Sequence, residues 1–420
     1  ENSMTTVLLI HYYFPPRGGA TVQRVVKFCK YLQKYDCRVL VLTSGCEYKA
    51  PLDSSLISDV PPDTEIFTTY RPNEKRALEG QFGRRNIIVD AFLPWIPVAY
   101  EKVRKIIKKH KVDVVFTTSP PHSQQLIGLL LKWTTGIPWI ADFRDPWTSD
   151  QRFMKYKSKF QIAVEKSLEK LVLKNADAVI STTRGADESF FRKGGRPGDR
   201  SKFVCIPNGY DPEEYEDLQP TDSGRLIFSH IGSAGPLISD PSYFFKALRA
   251  LLDEEPELGR TLSVKFAGGL DPGMRKLMRD LNLDGIVEFV GFHPHKEAIR
   301  MIQNSHVLLL FELPVKFGDG PTRVIPSKVF EYMGASRPIM PMVIEGDTAN
   351  ILRESGTANI LAPTDIEGIK KRIRKFVFEF EKGTLKSGVP PPAEFSRVEQ
   401  AKRLACIMHE IKRKHAQEKT

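Results

Sequence analysis

Short runs of apolar, β-branched residues recur along the chain, alternating with stretches in which apolar residues return every three or four positions. Runs such as VLLI (7–10), VLVL (39–42) and DVVF (113–116) lack polar alternation, so both of their faces must be covered, as in the central strands of a parallel sheet. The pattern predicts strands at 6–11, 38–43, 112–118, 138–142, 178–181 and 202–206. Amphipathic spacing predicts helices at 21–34, 97–109, 123–132 and 155–174. An acidic, turn-rich stretch follows at 210–224, and then the alternation restarts. Strands are expected at 226–231, 262–267, 287–290, 306–311 and 338–342. Helices are expected at 241–252, 272–281, 296–303, 327–335 and 366–381. Strand–helix alternation of this kind is the signature of doubly wound α/β sheets.

A chain of 420 residues is too long for one ordinary core. The expected organisation is an N-terminal Rossmann-like domain at 4–210, a linker at 211–224 and a second Rossmann-like domain at 225–394. A basic helix at 395–420 follows Pro390-Pro391-Pro392, and it either stays with the second domain or crosses back to the first. Met4 is the expected natural start.

Composition narrows the function classes. No apolar run approaches the roughly 18 residues that span a bilayer, and no secretory signal is visible. Cys29, Cys37, Cys46, Cys205 and Cys406 are scattered and form no C-x-x-C pair, which argues against disulfides or zinc and for a cytoplasmic compartment. The formal net charge of +11 points to an anionic partner. Much of the excess lies at 102–111 and 152–174, where apolar residues such as Val103, Ile106 and Ile107 recur at helical spacing. These segments read either as solvated helix faces or as a patch for an anionic membrane surface. They lack the interleaved aromatic platforms of a nucleic-acid surface, so no nucleic-acid partner is expected.

Ligands of open α/β sheets bind beyond the carboxyl ends of the strands, and four loops there carry chemistry. YYFPPRGGA (12–20) offers Gly18 and Gly19 for close backbone approach ahead of a helix N-terminus. ADFRDPW (141–147) would bring Asp142, Arg144 and Asp145 out together, either paired with one another or facing a polar ligand. HIGSAG (230–235) presents Gly232 and Ser233, suited to phosphate or to a plain turn. In PSKVFEYM (326–333), Ser327 is the expected N-cap, Lys328 lies in the first turn and Glu331 follows three residues on. A lysine at a helix N-terminus opposes the macrodipole, and lysine before glutamate is the less favourable order. A diphosphate held by Lys328 and a ribose held by Glu331 account for both choices.

FPPRGGA, ADFRDPW, IPNGYD (206–211), VGFHPHKEAIRMIQNSHVLLL (290–310) and IPSKVFEYMGASRPIM (325–340) together resemble the retaining glycosyltransferases of family 4 with the GT-B fold, in the branch that assembles bacterial surface polysaccharides. The resemblance runs over roughly residues 5 to 415. It implies two Rossmann-like domains facing across a cleft and a sugar donated by a nucleoside diphosphate sugar, with UDP ahead of GDP. It places the ribose on Glu331, the diphosphate on Lys328, the base on the backbone around Phe292 and His293, and Gly18-Gly19 near the phosphates. The acceptor would be a lipid-linked or polysaccharide precursor, and the protein cytoplasmic and peripheral to the membrane.

One departure stands out: where many members carry an acidic residue eight positions before the ribose-binding glutamate, this chain has Arg323. Asp319, Gly320 or Thr322 are the expected substitutes. Lys328, with Asp142 or Asp145 orienting the acceptor, is the expected catalytic set. The departing phosphate would take the acceptor's proton, so no metal is expected, even at His293 and His295, and the nucleotide sugar is a substrate rather than a cofactor. Alternatives are a GT-B-type sugar-nucleotide epimerase and a non-catalytic sugar-nucleotide-binding protein. Phe92, Trp95 and Trp147 read equally as sugar-stacking or as core residues. The oligomeric state is not written in the sequence.

Overall fold

The computed structural model describes residues 4–45, 52–69, 88–150, 154–215, 224–236, 239–312, 324–357 and 359–419. It divides into two compact units, Glu1–Asn208 with Arg397–Thr420, and Gly209–Ser396. The division falls within the IPNGYD segment, before the acidic stretch read as a linker.

In the first unit the strands β1 (Thr5–Ile10), β2 (Cys37–Ser44), β3 (Glu65–Thr69), β4 (Val114–Ser119), β5 (Trp139–Phe143), β6 (Ala178–Ser181) and β7 (Phe203–Cys205) form one sheet in the order β3-β2-β1-β4-β5-β6-β7. Every pairing is parallel. The all-apolar runs are explained by the two layers they serve. Leu8 and Ile10 pack under α2 (Trp95–His110), α3 (Gln124–Thr135), α4 (Lys159–Asn175) and α5 (Arg184–Gly194). Val7 and Leu9 pack under α1 (Ala20–Leu32), joined by Ala401, Leu404, Ala405 and Met408 from the C-terminal helix Arg397–Gln417. That helix, named α12 below, completes the core of the first unit.

The second unit repeats the plan with β8 (Leu226–Ile231), β9 (Leu262–Ala267), β10 (Val287–Gly291), β11 (Val307–Phe311) and β12 (Ile339–Met342), all parallel, in the order β10-β9-β8-β11-β12. Helices α6 (Ser242–Glu254), α7 (Pro272–Asp280) and α11 (Ile366–Glu381) cover one face, while α8 (His295–Gln303), α9 (Lys328–Gly334) and α10 (Asp347–Glu354) cover the other.

Candidate functional site

In the first sheet the winding reverses between β1 and β4, so the loops leaving these strands splay apart at the carboxyl edge, where such sheets take ligands. His11 follows β1 and is fully buried. Its Nε2 lies 3.1 Å from the Thr21 carbonyl in the first turn of α1, and its Nδ1 3.3 Å from Gln124 Oε1. Burial, reinforced by the Arg144 charge, holds this imidazole neutral, well below its ordinary range. Arg144 itself donates through Nε to the Ser119 carbonyl at 3.1 Å, and through its terminal nitrogens to the carbonyls of Thr21 and Pro120. One guanidinium in the loop after β5 thus binds together the first turn of α1 and the end of β4. Burial lowers its pKa to about 10, with Asp142 and Asp145 opposing, so it is charged at neutral pH.

Asp142 does not emerge beside Asp145 as the sequence pattern predicts. It has no exposed surface. Arg24, equally buried, reaches its carboxylate through Nη2 at 2.8 Å and Nε at 3.2 Å, while Thr118 Oγ1 donates at 2.6 Å. A carboxylate in the interior of an α/β layer must be paired, and α1 supplies the partner. Asp145, three residues further on in the loop after β5, is half-buried. Arg24 is a residue that sequence reasoning missed. Its signal is an arginine in a helix whose neighbours Val22, Val25, Val26 and Phe28 are all buried and apolar.

Trp95 and Trp147 are core residues, each 1% exposed. The Trp147 indole donates to Glu165 at 3.1 Å, and His122, on the loop after β4, stacks on it with ring centroids 5.2 Å apart. Burial, with Lys157, Arg144 and Lys193 adding repulsion, drives His122 down to about 3. It is neutral at any working pH. In the Gly-Gly loop, Gly18 is buried, whereas Gly19 is exposed with φ +98°, a conformation L side chains avoid, and leads straight into α1. Arg17 stacks over Tyr13 at 4.1 Å.

The second sheet reverses its winding between β8 and β11. There His230, at the end of β8, bridges the two strands: its Nδ1 lies 2.9 Å from the Leu309 carbonyl. That carbonyl fixes the proton on Nδ1 and leaves Nε2 as an acceptor, 3.0 Å from Lys328 Nζ. Burial and the neighbouring Lys328 keep His230 neutral. Lys328 opens α9 but turns inward over Gly232. A Cβ built at Gly232 would lie 2.8 Å from Lys328 Nζ, and one at Gly268 would lie 2.6 Å from the Gly232 carbonyl. Both glycines have positive φ (+123° and +124°), so the turn closes on itself and leaves room for the ammonium. Burial lowers the Lys328 pKa to about 8, against the pull of Glu331.

Glu331 is half-buried one turn on, with Oε1 3.9 Å from His295 Nδ1; His295 Nε2 in turn lies 2.9 Å from Glu214 Oε1. The Tyr215 hydroxyl donates to the Glu331 carbonyl at 2.9 Å, and the Tyr332 hydroxyl accepts from Ile231 N at 2.8 Å, locking α9 to the end of β8. Ser327 is not a side-chain cap: its backbone is already helical and its hydroxyl makes no cap bond. Ser233 is exposed beside Gly269. Phe292 is 53% exposed, and His293 is tied to Glu297 at 3.0 Å and to the Val290 carbonyl at 3.2 Å. Arg323, Asp319, Gly320 and Thr322 lie outside the described residues.

Lys328, Glu331 and Gly232 therefore meet at one switch point, while Asp145, Arg144 and Gly19 stand at the other. Residues 18–214 match the family model Glycosyltransferase Family 4. No curated protein matches the chain in sequence. Among solved structures it is similar to sucrose-phosphate synthase from Thermosynechococcus elongatus, at 15% identity and a TM-score of 0.62 over 98% of both chains. It is similar also to WaaG, a glycosyltransferase involved in lipopolysaccharide biosynthesis, at 14% identity and a TM-score of 0.60 over 98% of both chains. A UDP-N-acetylglucosamine 2-epimerase matches at 12% identity and a TM-score of 0.57 over 96% of this chain and 95% of its own. These likenesses establish the fold: two parallel-sheet α/β domains of the kind found in GT-B glycosyltransferases.

Proposed function

We propose that the protein transfers a sugar from a nucleoside diphosphate sugar, a UDP-sugar by preference, to a hydroxyl of a lipid-linked or polysaccharide acceptor, with retention. The observation that carries this reading is the inward-turned Lys328, whose ammonium rests over the Gly232 turn at a sheet switch point with Glu331 one helical turn away. A lysine placed there serves an anion, and a carboxylate one turn on suits the two hydroxyls of a ribose. Support comes also from the family 4 match over residues 18–214 and from transferases among the structural neighbours.

In this reading the barrier is charge separation, an oxocarbenium-like sugar forming as the diphosphate leaves. Lys328 stabilises the leaving group as fixed electrostatics, since the amides of Gly232, Ala234 and Gly235 already donate to the carbonyls of Ala267, Gly269 and Ser239. The donor grip needs no reorganisation, because Tyr332 and His230 already hold α9 and Lys328 in place. A departing phosphate oxygen accepts the acceptor's proton, which frees the chain from providing a base. Asp145 orients the acceptor; Asp142 acts through Arg24 as a structural pair. Phe292 and His293 frame the base, and the Gly18-Gly19 loop contributes backbone amides to the phosphates.

A thermal-shift panel against UDP, GDP, ADP and their sugars tests the donor assignment. UDP compounds should give the largest shift, and Glu331→Ala should remove most of it. An undiminished shift in that variant sinks the ribose assignment. The epimerase neighbour favours a second reading, decided by incubation with UDP-sugars alone. Clean epimer formation without acceptor would replace the transferase.

A further inference from the structure

At the amino edge of the second sheet, opposite the Lys328 switch point, lies a cavity of about 510 Å3 where Pro338 leads into β12. That size takes a small organic molecule. Its walls are α11, residues 355–357 with Asn359, and the segment 384–392. This last wall is pinned. Gly388 donates to the Ser336 carbonyl at 2.8 Å, and a Cβ on it would lie 2.3 Å from the Arg337 carbonyl. Val389 in turn packs against Gly356.

The lining combines an apolar floor, including Phe376 and Leu385, with Arg337, Arg372, Lys375 and Lys386. Glu379 is the carboxylate among these residues, and it lies 3.7 Å from Lys375. Arg372 is the telling group. Its guanidinium lies over the Phe376 ring at 4.6 Å, and its Nε is buried without a hydrogen-bond partner. Burial is the leading cause of a lowered Arg372 pKa. A guanidinium N–H stripped of water and given no acceptor is costly, and folded chains supply one from their own carbonyls or carboxylates. Arg24, Arg144 and Arg374 of this chain are all satisfied in that way. At Arg372 Nε, as at Arg249 Nε, the described residues supply none, and at Arg372 the Glu379 carboxylate acts on the guanidinium only through space.

We propose that this cavity binds a small amphiphilic anion, a phosphate or carboxylate on an apolar body, with Arg372 and Lys386 on the acid group and Phe376 and Leu385 against the body. The site is separate from the donor grip and does not depend on it.

Isothermal titration with octyl phosphate and octanoate, each below its micellar concentration, tests it. Inorganic phosphate and octanol serve as head-only and body-only controls. One molecule of at least one amphiphile should bind per chain, more tightly than either control. Arg372→Gln should weaken it at least about tenfold, and Arg372→Lys less. Lys328→Met, which cripples the donor grip, should leave it unchanged. If Arg372→Gln fails to unfold cooperatively, Lys386→Gln decides, with a several-fold loss expected. Absence of binding, octanol binding as tightly as octyl phosphate, indifference to both cavity substitutions, or loss in Lys328→Met would each overturn the proposal. The octyl phosphate and octanoate arms separate a phosphate-bearing ligand from a carboxylate.

Discussion

A half-buried lysine bonded to a neutral imidazole ionises near pH 8 instead of in the ordinary range above 10, and this displacement has two readable consequences. In the free protein the unfolded chain holds its proton on Lys328 more tightly than the folded one. Between pH 8 and about 10.4 the unfolded state therefore binds more protons, so the contribution of this group to stability rises with pH through that window and is flat below it. Diphosphate binding has the opposite sign, since it needs the ammonium: UDP affinity should hold steady to about pH 7.5 and weaken above pH 8. Wild type minus Lys328→Met, followed by chemical denaturation and by titration with UDP, isolates both slopes. Parallel slopes, or none, would mean that Lys328 does not reach the phosphates. The two aspartates of ADFRDPW separate just as sharply. Asp142→Ala strands the Arg24 charge in the interior and should cost about 3–5 kcal/mol in urea denaturation. Asp145→Ala should raise the acceptor KM. A stable Asp142→Ala protein would show that Arg24 finds enough compensation in the carbonyls of Ile206 and Pro207.

Elements were legible wherever a single periodicity ran long enough. The buried strands β1, β2, β4, β8 and β11 stand out because each is almost wholly buried and carries at least three consecutive apolar residues. The edge strand β3 escapes that test: Glu65, Phe67 and Thr68 leave it with exposed and half-buried positions and no continuous run. Helices α5 and α10 escape because they are short and largely polar, and are held by a Thr183 cap and by packing rather than by a strong apolar stripe. At the candidate site, Lys328 and Glu331 were legible because they defy helix preference, whereas Asp142 misled because its partner lies 118 positions away. The destination of the last helix was equally invisible, since its apolar stripe fits any sheet face. It packs on α1, and Leu404 there is fully buried. Leu404→Ala should destabilise the first unit by about 2–5 kcal/mol while leaving UDP affinity, whose proposed main determinants Lys328 and Glu331 lie in the second unit, within twofold. A matching loss of UDP affinity would reveal coupling between the two.

At the scale of the molecule, the excess of positive charge has a definite address. Helices α2, α3 and α4 lie side by side over one face of the first sheet, and their outer surface carries Lys102, Lys105, Lys109, Lys159, Lys166, Lys170 and Lys174. Among these cations Phe160 is 70% exposed, Trp133 55% and, just before α4, Tyr156 49%. Exposed lysines alone describe a solvated face; the exposed aromatics among them make this face the one on which to test the expectation of an anionic membrane surface. No helix among the described residues is long and apolar enough to cross a membrane. Electrostatic attraction to anionic head groups contributes about 1 kcal/mol per lysine close to the surface, and the rings can settle into the interface. Co-sedimentation with vesicles should accordingly be strong for phosphatidylglycerol and weak for phosphatidylcholine. It should fall steeply as the Debye length shrinks from about 10 Å at 0.1 M salt to about 3 Å at 1 M. Phe160→Ser with Tyr156→Ser should lower binding at high salt, where charge is screened and the rings carry what remains. Equal binding to both lipids, or indifference to the aromatic substitutions, would return this surface to the ordinary solvated kind.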